Sequence, residues 1–306
     1  MQCSRCSEKA IYEVRYNSSS LCRTHFNQFV EKRVKKEIRN QLKRNGKPLV
    51  ISVAISGGKD SSVTLYLLNK IFGKDRKIKL MPFTVDEGIS GYRDSGIERA
   101  RELCHDLGLE HHIISFSESY GKRLEDIVAD DRTNTIPCSH CGPMRRNLMN
   151  KISKLNFSDY VALGINLDDY AQSILMNVVK GDLKRLARMA PHDLIRDTLV
   201  PRILPLRKIP ENEVMLYAVV NGIKFDSGWC PFYERAQRNK FRHIIAELEE
   251  STPGSRHALV RFHDELKPVL ADSVKHEELG KCRICGSPTA NEVCAVCSDL
   301  SEMNFT

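Results

Sequence analysis

Short apolar runs alternate with segments of helical periodicity through the middle of the chain. In each helical segment the apolar residues recur three or four positions apart, whereas the runs between them are nearly continuous. This alternation predicts repeated βαβ units and therefore a Rossmann-like α/β fold built on a parallel sheet. The predicted strands cover residues 49–55, 78–85, 111–116 and 160–164, and the predicted helices between them cover residues 63–72, 94–107, 144–155 and 168–179.

The flanking regions carry weaker patterns. A very basic helix is predicted at residues 29–42, and three further helices are predicted at residues 211–220, 234–249 and 254–271. The stretch 181–210 is rich in Arg, Pro and His, and we expect it to cross the surface with little regular structure.

The first predicted strand ends in a glycine pair that leads into a helix. Gly57 and Gly58 would aim unpaired N–H groups and the positive end of the helix dipole at one point, where a phosphate fits. Lys59 would neutralise the phosphate oxygens, and Asp60 beside them implies a bridging divalent cation, most plausibly Mg²⁺. We therefore predict an ATP site. The alternative is a glycine turn packed at the end of the sheet, with Lys59 in an ordinary ion pair.

Ligands of parallel sheets collect beyond the carboxyl ends of the strands. Three polar segments follow predicted strands: residues 56–61, 86–88 and 164–169. We expect these segments to converge around the phosphate loop.

Composition places the chain among ordinary water-soluble proteins. It has 306 residues, and no apolar run approaches the ~20 residues that span a bilayer. The polar start lacks the apolar region of a signal peptide, so we expect a cytoplasmic protein that is not bound to a membrane. In that reducing compartment the 11 cysteines favour metal ligation or redox chemistry over disulfides.

The net charge of +8 is concentrated in two runs, residues 32–47 and 180–208, each with 8 Lys or Arg. Such runs are often solvated helix faces, but two of them in an ATP-using protein favour a polyanionic partner, for which RNA is the natural candidate. The segment 232–242 mixes aromatic and cationic residues in a way that suits RNA contact or amphipathic helix packing.

Two sets of four potential ligands stand near the ends of the chain. The spacing of both sets is typical of closed, tetrahedral Zn²⁺ sites with a structural role, and the alternative is unliganded thiols. The first set is Cys3, Cys6, Cys22 and His25, and the second is Cys282, Cys285, Cys294 and Cys297.

Three further cysteines, Cys138, Cys141 and Cys230, do not complete a set of four. Three thiolates could hold a cubane iron-sulfur cluster with one open iron, which would carry a labile sulfide. A third zinc site completed by His140 and a catalytic thiol or persulfide pair are the alternatives, and spacing alone does not pair Cys230 with the earlier two. Cys104 lies at apolar helical spacing and is predicted to pack in the core.

The motif Ser-Gly-Gly-Lys-Asp-Ser at residues 56–61 resembles the PP-loop of the N-type ATP pyrophosphatases. Together with the two terminal cysteine sets, the central Cys-x-x-Cys, the lone Cys230 and the segment 164–169, it resembles the TtuA and NcsA group of tRNA 2-thiouridine synthetases over nearly the whole chain. The resemblance implies a tRNA sulfurtransferase that adenylates the C2 oxygen of a uridine with ATP and replaces it with sulfur carried on a 4Fe-4S cluster.

The resemblance also implies roles for individual residues. Cys138, Cys141 and Cys230 should hold the cluster, and Asp60 and Asp169 should serve Mg²⁺ and proton handling. Contacts to ATP are expected from Ala54, Ser56, Gly57, Gly58, Lys59, Asp60, Ser61 and Gly164, with Phe83 or a close neighbour against the adenine and Arg145 at the phosphates.

Two positions depart from the pattern of the family. Arg145 stands where some members have Lys, and it could stabilise a developing negative charge but could not act as a base. Ile165 stands where many relatives have His, so a His there cannot be essential for the chemistry of this chain.

The sequence leaves several points open. The competing functions are a PP-loop enzyme that thiolates another tRNA base or uses a nitrogen nucleophile, and a zinc-knuckle RNA-binding module for which ATP is only a conformational ligand. The wobble uridine is favoured over the T-loop uridine, the sulfur donor is sulfide or a ubiquitin-like thiocarboxylate protein, and a homodimer is plausible. The predicted units are an N-terminal zinc finger (1–27), a basic helix and linker (28–47), the catalytic domain (48–275) and a C-terminal zinc finger (276–306).

Overall fold

The computed structural model describes residues 1–44, 46–132, 134–192, 198–273 and 279–303. Its strands are β1 (Tyr12–Val14), β2 (Ser19–Leu21), β3 (Leu49–Ala54), β4 (Ile78–Asp86), β5 (His112–Ser115), β6 (Tyr160–Ala162), β7 (Arg202–Ile203), β8 (Gly280–Lys281) and β9 (Pro288–Thr289). Its helices are α1 (Arg23–Gln41), α2 (Lys59–Phe72), α3 (Arg93–Asp106), α4 (Phe116–Tyr120), α5 (Leu124–Asp130), α6 (Pro137–Leu155), α7 (Leu167–Val179), α8 (Leu183–Ala187), α9 (Glu211–Val220), α10 (Arg238–Ser251), α11 (Ser255–Ser273) and α12 (Ala295–Met303).

A five-stranded sheet forms the centre of the molecule, with the strand order β5-β4-β3-β6-β7. All four pairings are parallel, and in the register Ala54 lies opposite Phe83 while Val53 lies opposite Ala162. The predicted α/β architecture with a parallel sheet is therefore confirmed. Helices cover both faces, which explains why the two central strands β3 and β4 are buried at nearly every position rather than at alternate positions.

Three clusters of buried side chains hold the helices to the sheet. The first joins α1, α2 and α9 to one face, and the second joins α6 and the C-terminal cysteine module to the other. The third packs α7 and α8 against α11. Cys104 is 1% exposed in the first cluster, in agreement with its predicted place in the core, and burial raises the pKa of its thiol to about 12.

The expectation of an irregular surface stretch at residues 181–210 was wrong. This stretch contributes helix α8 and the edge strand β7, and it buries Val200 and residues 203, 204, 206 and 209. Its buried cation Arg207 is satisfied by ion pairs to Glu37 and Asp264. Pro and Arg are common in loops, but the apolar residues between them here cover the sheet edge. Residues 193–197 of this stretch lie outside the described residues.

Several helix boundaries also differ from the prediction. Helix α6 begins at Pro137 instead of residue 144, so it contains the Cys-x-x-Cys, and proline suits the first helical position. Helix α10 begins four residues late because Tyr233–Arg235 forms a 3₁₀ turn, and the short helices α4 and α5 were not predicted.

Helix α1 crosses the expected boundary between residues 27 and 28. It starts beside the first cysteine set and then buries Val30, Val34 and Ile38 in the first cluster, so the basic segment is part of the body rather than a free linker. The expected boundary between residues 275 and 276 lies outside the described residues. Among the described helices, none has the length and apolar character needed to cross a membrane.

Candidate active site

The phosphate loop connects β3 to α2 at the carboxyl edge of the sheet. No side chain caps the N-terminus of α2, whose cap position is Gly58, so its first-turn N–H groups are left for another acceptor. The hydroxyl of Ser61 braces the loop from within: it accepts from the N–H of Ser56 at 3.0 Å and donates to the carbonyl of Gly58 at 2.9 Å. This arrangement is a preformed anion site.

Two glycines let the phosphate loop touch α3. Gly57 has φ +82°, and a Cβ there would lie 1.9 Å from the carbonyl oxygen of Gly96. A Cβ on Gly96 would lie 2.7 Å from the carbonyl oxygen of Ser56. Only backbone fits between the loop and the helix, so the position of the loop is fixed by direct contact of main chains.

The segment after β6 closes the loop from the opposite side. A Cβ on Gly164 would meet the N–H of Ser61 at 2.7 Å, so this approach also requires glycine. The side-chain amide of Asn166 donates to Asp60 Oδ1 at 2.9 Å, while its oxygen caps α7 by accepting from the N–H of Asp169 at 3.0 Å. The predicted convergence of the segments 56–61 and 164–169 is therefore present.

Lys59 lies between two carboxylates. Its Nζ is 2.8 Å from Asp60 Oδ2 and 2.8 Å from Glu211 Oε1. Burial lowers the pKa of Lys59, but the two carboxylates together outweigh burial and raise it, so the ammonium stays charged. Arg242 also reaches Glu211 at 3.2 Å. Two cations and two carboxylates thus meet at the mouth of the phosphate loop.

Asp169 has an unusual carboxyl group beside this cluster. Burial raises the pKa of Asp169 to about 6, since Arg238 at 3.6 Å offsets the effect only in part and the Asp60 and Glu211 carboxylates add to it. Asp60, Asp169 and Glu211 lie in the first turns of three different helices, α2, α7 and α9, and their oxygens are not all within 4.8 Å of one another. Carboxylate oxygens are nevertheless the ligands that suit a divalent cation. Asp169 is consequently well suited to bind a cation or to carry a proton near neutral pH.

The neighbouring Asp168 has a different function. Its Oδ2 accepts from the N–H of Glu211 at 2.7 Å, and its Oδ1 pairs with Arg256, which in turn contacts Glu249 at 3.3 Å. Asp168 therefore holds α9 and α11 against α7 and fixes the position of Glu211.

The three central cysteines are neighbours, but they pack less closely than the terminal sets. Cys138 and Cys141 lie in the first turns of α6, and Cys230 lies in the segment before the 3₁₀ turn. Cys138 and Cys141 are one turn apart in α6, Cys141 and Cys230 pack against the same buried cluster, and burial raises the pKa of Cys141 to about 11. Their sulfurs do not meet the 4.8 Å spacing of the terminal sets, which is expected for a ligand larger than one ion.

Arg145 lies in α6 one turn after Cys141 and next to Glu87, the two groups being 3.6 Å apart. The buried Glu87 also pairs with Arg93 at 2.9 Å, and Arg93 donates to the carbonyl of Ser56 at 3.3 Å. The segment 86–88 is therefore connected to the phosphate loop, and Arg145 lies between that loop and the cysteines.

Phe83 is placed differently from the expectation of an adenine contact. Its side chain is 1% exposed and packs in the second cluster, together with the half-buried Ala54. Ile165 packs against the third cluster. The adenine role of Phe83 stays a prediction that this geometry does not favour.

A short segment connects the phosphate loop to the cysteines. The N–H of Asp226 donates to the carbonyl of Gly57 at 2.8 Å, and its carboxylate accepts from Ser95 at 2.8 Å. Four residues later the same segment supplies Cys230. The two candidate reaction centres are thus at opposite ends of five residues of backbone.

The N-terminal cysteine set is compact. The sulfurs of Cys3, Cys6 and Cys22 lie 3.3–3.4 Å from His25 Nδ1, and Cys6 lies 3.7 Å from Cys22. Such spacings suit four ligands around one tetrahedral Zn²⁺.

The C-terminal set is equally compact, with all four sulfurs within 4.8 Å of one another. N–H groups of Cys285 and Cys294 lower the pKa of Cys282 to about 6, which favours the thiolate that a metal requires. Helix α12 of this module is connected to α6, because His140 Nδ1 lies 3.1 Å from Asp299 while Nε2 lies 3.5 Å from Asp131. Both nitrogens of His140 face carboxylates, which argues against a third zinc site with Cys138 and Cys141.

Sequence reasoning missed several residues of the site. It predicted Glu211 only as the start of a helix, and it gave Asp226, Gly96 and Arg242 no role at the phosphates. A Glu directly after Pro210 at a helix N-terminus was a usable signal for Glu211. The others became visible only from tertiary contacts.

Comparison with known families agrees with this geometry. Residues 27–249 match the model of the PP-loop domain, residues 2–27 match the N-terminal LIM domain of 2-thiouridine synthetase TtuA, and residues 279–299 match the four-cysteine zinc finger domain of RecR. The fold and the phosphate loop thus define a PP-loop ATP pyrophosphatase domain that carries a cysteine module at each end.

Relatives define the family more narrowly. The tRNA 2-thiolation protein NcsA of Haloferax volcanii is 36% identical, over 97% of this chain and 97% of that protein. The tRNA-5-methyluridine(54) 2-sulfurtransferase of Pyrococcus horikoshii is 32% identical, over 100% and 96%. The solved structure of the U34-tRNA thiolase NcsA from Methanococcus maripaludis with its 4Fe-4S cluster is 35% identical, covers 99% of this chain and 96% of its own, and superposes with a TM-score of 0.84. The chain belongs to the NcsA and TtuA family of tRNA 2-thiolation proteins.

Proposed function

We propose that this protein is an ATP-dependent tRNA sulfurtransferase that converts a uridine to 2-thiouridine. One observation carries the proposal: a phosphate-binding loop and a three-cysteine centre are connected by the five residues 226–230. An enzyme that must activate and thiolate the same carbon needs its two reagents this close together.

The phosphate loop has the features needed to bind ATP. The uncapped first turn of α2 offers N–H groups to phosphate oxygens, and Lys59 supplies a positive charge. Binding would place the phosphates in competition with Glu211 for Lys59, since that carboxylate neutralises the ammonium at 2.8 Å. Gly164 allows the nucleotide-facing backbone to stay close to Ser61.

Asp60, Asp169 and Glu211 would hold Mg²⁺. The fit rests on the chemistry of the donor set, three carboxylates carried by the first turns of α2, α7 and α9 beside the phosphate loop. When bound, Mg²⁺ would neutralise the phosphate charge that otherwise repels these carboxylates.

Cys138, Cys141 and Cys230 would hold a 4Fe-4S cluster. Three neighbouring thiols without a fourth suit such a cluster, which when bound supplies an open iron site for labile sulfide. Arg145 lies one turn after Cys141 and would balance negative charge between this centre and the phosphates. The terminal sets would each hold a structural Zn²⁺.

The reaction has two steps. The C2 oxygen of the uridine attacks the α-phosphorus of ATP and releases pyrophosphate, so the oxygen becomes part of a good leaving group. Sulfide then attacks C2, and AMP leaves with the former oxygen. No oxidant or reductant is consumed. The residues of the chain bind the phosphates, hold the base between the two centres and exclude water.

The basic helix α1 supports tRNA as the substrate. Its exposed face carries Lys32, Lys35, Lys36 and Arg39, four cations that suit a phosphate backbone. The wobble uridine is the proposed target, supported by the likeness to the U34-tRNA thiolase. Sulfide or a ubiquitin-like thiocarboxylate protein would be the donor, and a homodimer stays a prediction from the family.

Anaerobic reconstitution tests the function. Purified protein is incubated with unmodified tRNA, ATP, Mg²⁺ and sulfide, and the digested RNA is analysed by mass spectrometry. We expect 2-thiouridine with stoichiometric AMP, and fragment mapping places it. ATP cleavage without thiolated base, in protein that contains iron and zinc, would favour the enzyme with a nitrogen nucleophile. Binding of tRNA without any AMP would favour the RNA-binding module.

A further inference from the structure

We infer that Trp229 is the platform on which the target uridine stacks, a role that rests on the proposed function and names how the site holds its base. Trp229 is the single tryptophan of the chain and is 62% exposed. It precedes Cys230, and the segment that carries both begins at Asp226, which is bonded to the phosphate loop. The indole therefore belongs to the connection between the two reaction centres.

The indole is exposed but held in place. The ring of Tyr233 packs edge-on at 4.6 Å between centroids, and the guanidinium carbon of Arg242 lies 5.4 Å from the indole centroid. The N–H of Tyr233 donates to the carbonyl of Cys230 at 2.8 Å, so the turn that carries the cysteine also carries the packing ring. A large apolar ring fixed in an exposed position is a surface that is ready to stack.

Arg242 connects this platform to the phosphate site. The same guanidinium that faces the indole lies 3.2 Å from Glu211, and Glu211 contacts Lys59 at 2.8 Å. A base stacked on the indole would lie beside the segment that connects the phosphate loop to Cys230. Adenylation of O2 and attack of sulfide on C2 require that both centres reach the same base.

A nucleobase is the occupant that the surroundings favour. A uridine must leave its stack to be modified, which costs a few kcal/mol, and stacking on an aromatic ring recovers part of this energy. The guanidinium of Arg242 adds positive charge beside the indole, as expected where a polyanionic strand passes. A protein that docks through an apolar patch would have no use for this cation, and it is an outcome of the test.

Replacement of Trp229 tests the role through the affinity for tRNA. Trp229→Leu should raise the KM for tRNA about 5- to 150-fold, the range expected for one lost stacking contact, with the KM for ATP unchanged. Trp229→Phe should retain most of the affinity, because the smaller ring still stacks. Phe157→Leu is the matched control. Phe157 is 88% exposed and lies between α6 and β6, before the amino end of β6, whereas the phosphate loop lies at the carboxyl ends of the strands.

Photocrosslinking provides a readout that does not depend on turnover. Unmodified tRNA transcribed with 5-iodouridine is irradiated with the anaerobic, metal-loaded protein, and the crosslinked peptide is sequenced. We expect the crosslink on Trp229, lost in Trp229→Leu and kept in Phe157→Leu.

The two readouts separate the platform from the proposed function. Crosslinking to Trp229 in a protein that makes no 2-thiouridine would support the platform and contradict the function. Thiolation with crosslinks elsewhere, and a normal KM in Trp229→Leu, would overturn the platform and leave the function standing. A defect of Trp229→Leu that appears only when a thiocarboxylate protein replaces sulfide as donor would also overturn it, in favour of a protein contact.

Discussion

The terminal and central cysteines of this chain are arranged in opposite ways. At the termini four ligands lie within 4.8 Å of one another, most of them buried, so that every coordination position of a metal would be filled by the protein. In the centre three cysteines meet without a fourth, and Cys138 is exposed. Closed sets can stabilise small modules but leave no position for a substrate, whereas the open set offers one.

The difference extends to the groups around each centre. In the C-terminal set the N–H of Cys294 donates to the sulfur of Cys282, which favours the thiolate that binds a metal. In the central region burial, together with the nearby Asp60 and Glu211 carboxylates, raises the pKa of Asp169, which is unfavourable for folding at neutral pH. The terminal sets therefore contribute stability, whereas the central region contains groups that suit the reaction but lower the stability of the folded protein.

The largest effect is expected when one of the three central cysteines is removed. Cys230→Ala should abolish labile iron and lower sulfur transfer by at least about 10³-fold, because the remaining two thiols cannot hold a cluster. Both zinc ions should remain. Metal analysis and nucleoside mass spectrometry measure the effect, and iron content equal to that of the unchanged protein would refute the cluster ligand set.

The second change separates phosphate chemistry from sulfur chemistry. Asp60→Ala should reduce AMP release by about 10²–10³-fold, since it removes a carboxylate from the phosphate site and a partner of Lys59. Iron, zinc and the melting temperature should stay near their usual values. AMP formed at the usual rate would remove Asp60 from the active site.

The third change tests the structural role of the closed sets. Cys282→Ser should release one of two zinc ions and lose a metal-binding free energy on the order of 10 kcal/mol, so the C-terminal module should become sensitive to protease. Iron should be retained in part, since Asp299 no longer holds His140. Zinc analysis and limited proteolysis measure this effect.

Cys104→Ala is the matched control for that experiment, because Cys104 is buried but is in neither set of ligands. It should lower the melting temperature slightly and leave both metals in place. Retention of two zinc ions by Cys282→Ser would contradict the closed site.

The smallest expected effect is an increase in the stability of the folded protein. The pKa of Asp169 in the folded protein, about 6, is above that of the unfolded chain, so its favourable contribution is complete below about pH 4 and is lost as the pH rises to 6. Asp169→Asn should therefore raise stability by about 1–2 kcal/mol at pH 7, after allowance for partial exposure, and by almost nothing at about pH 3.

Thermal unfolding without divalent cations at the two pH values measures this difference, and thiolation at pH 7 should fall in the same variant. Added Mg²⁺ should stabilise the unchanged protein more than Asp169→Asn. A variant that is less stable at pH 7 would show that Asp169 has a structural role.

Periodicity and local motifs predicted the parallel sheet, the phosphate loop and the two terminal sets of cysteines, whereas the grouping of Cys230 with Cys138 and Cys141 came from the resemblance to the family. They failed where tertiary contacts decide the outcome. Strand β7 pairs only two residues with β6, so its local pattern was too short to recognise. Glu211 reaches Lys59 across 152 positions of sequence, and Asp226 reaches Gly57 through a main-chain bond that leaves no mark on side-chain patterns.

The contact between Gly57 and Gly96 limits how this protein can be made more heat-resistant. Replacing a helical glycine with alanine elsewhere gains about 1 kcal/mol, and Gly96 lies within α3, where this exchange is the obvious choice. Here the added methyl group would press on the carbonyl of Ser56 and displace the phosphate loop. Substitutions that make this protein more heat-resistant, whether evolved or designed, must therefore keep Gly96, although this glycine weakens α3.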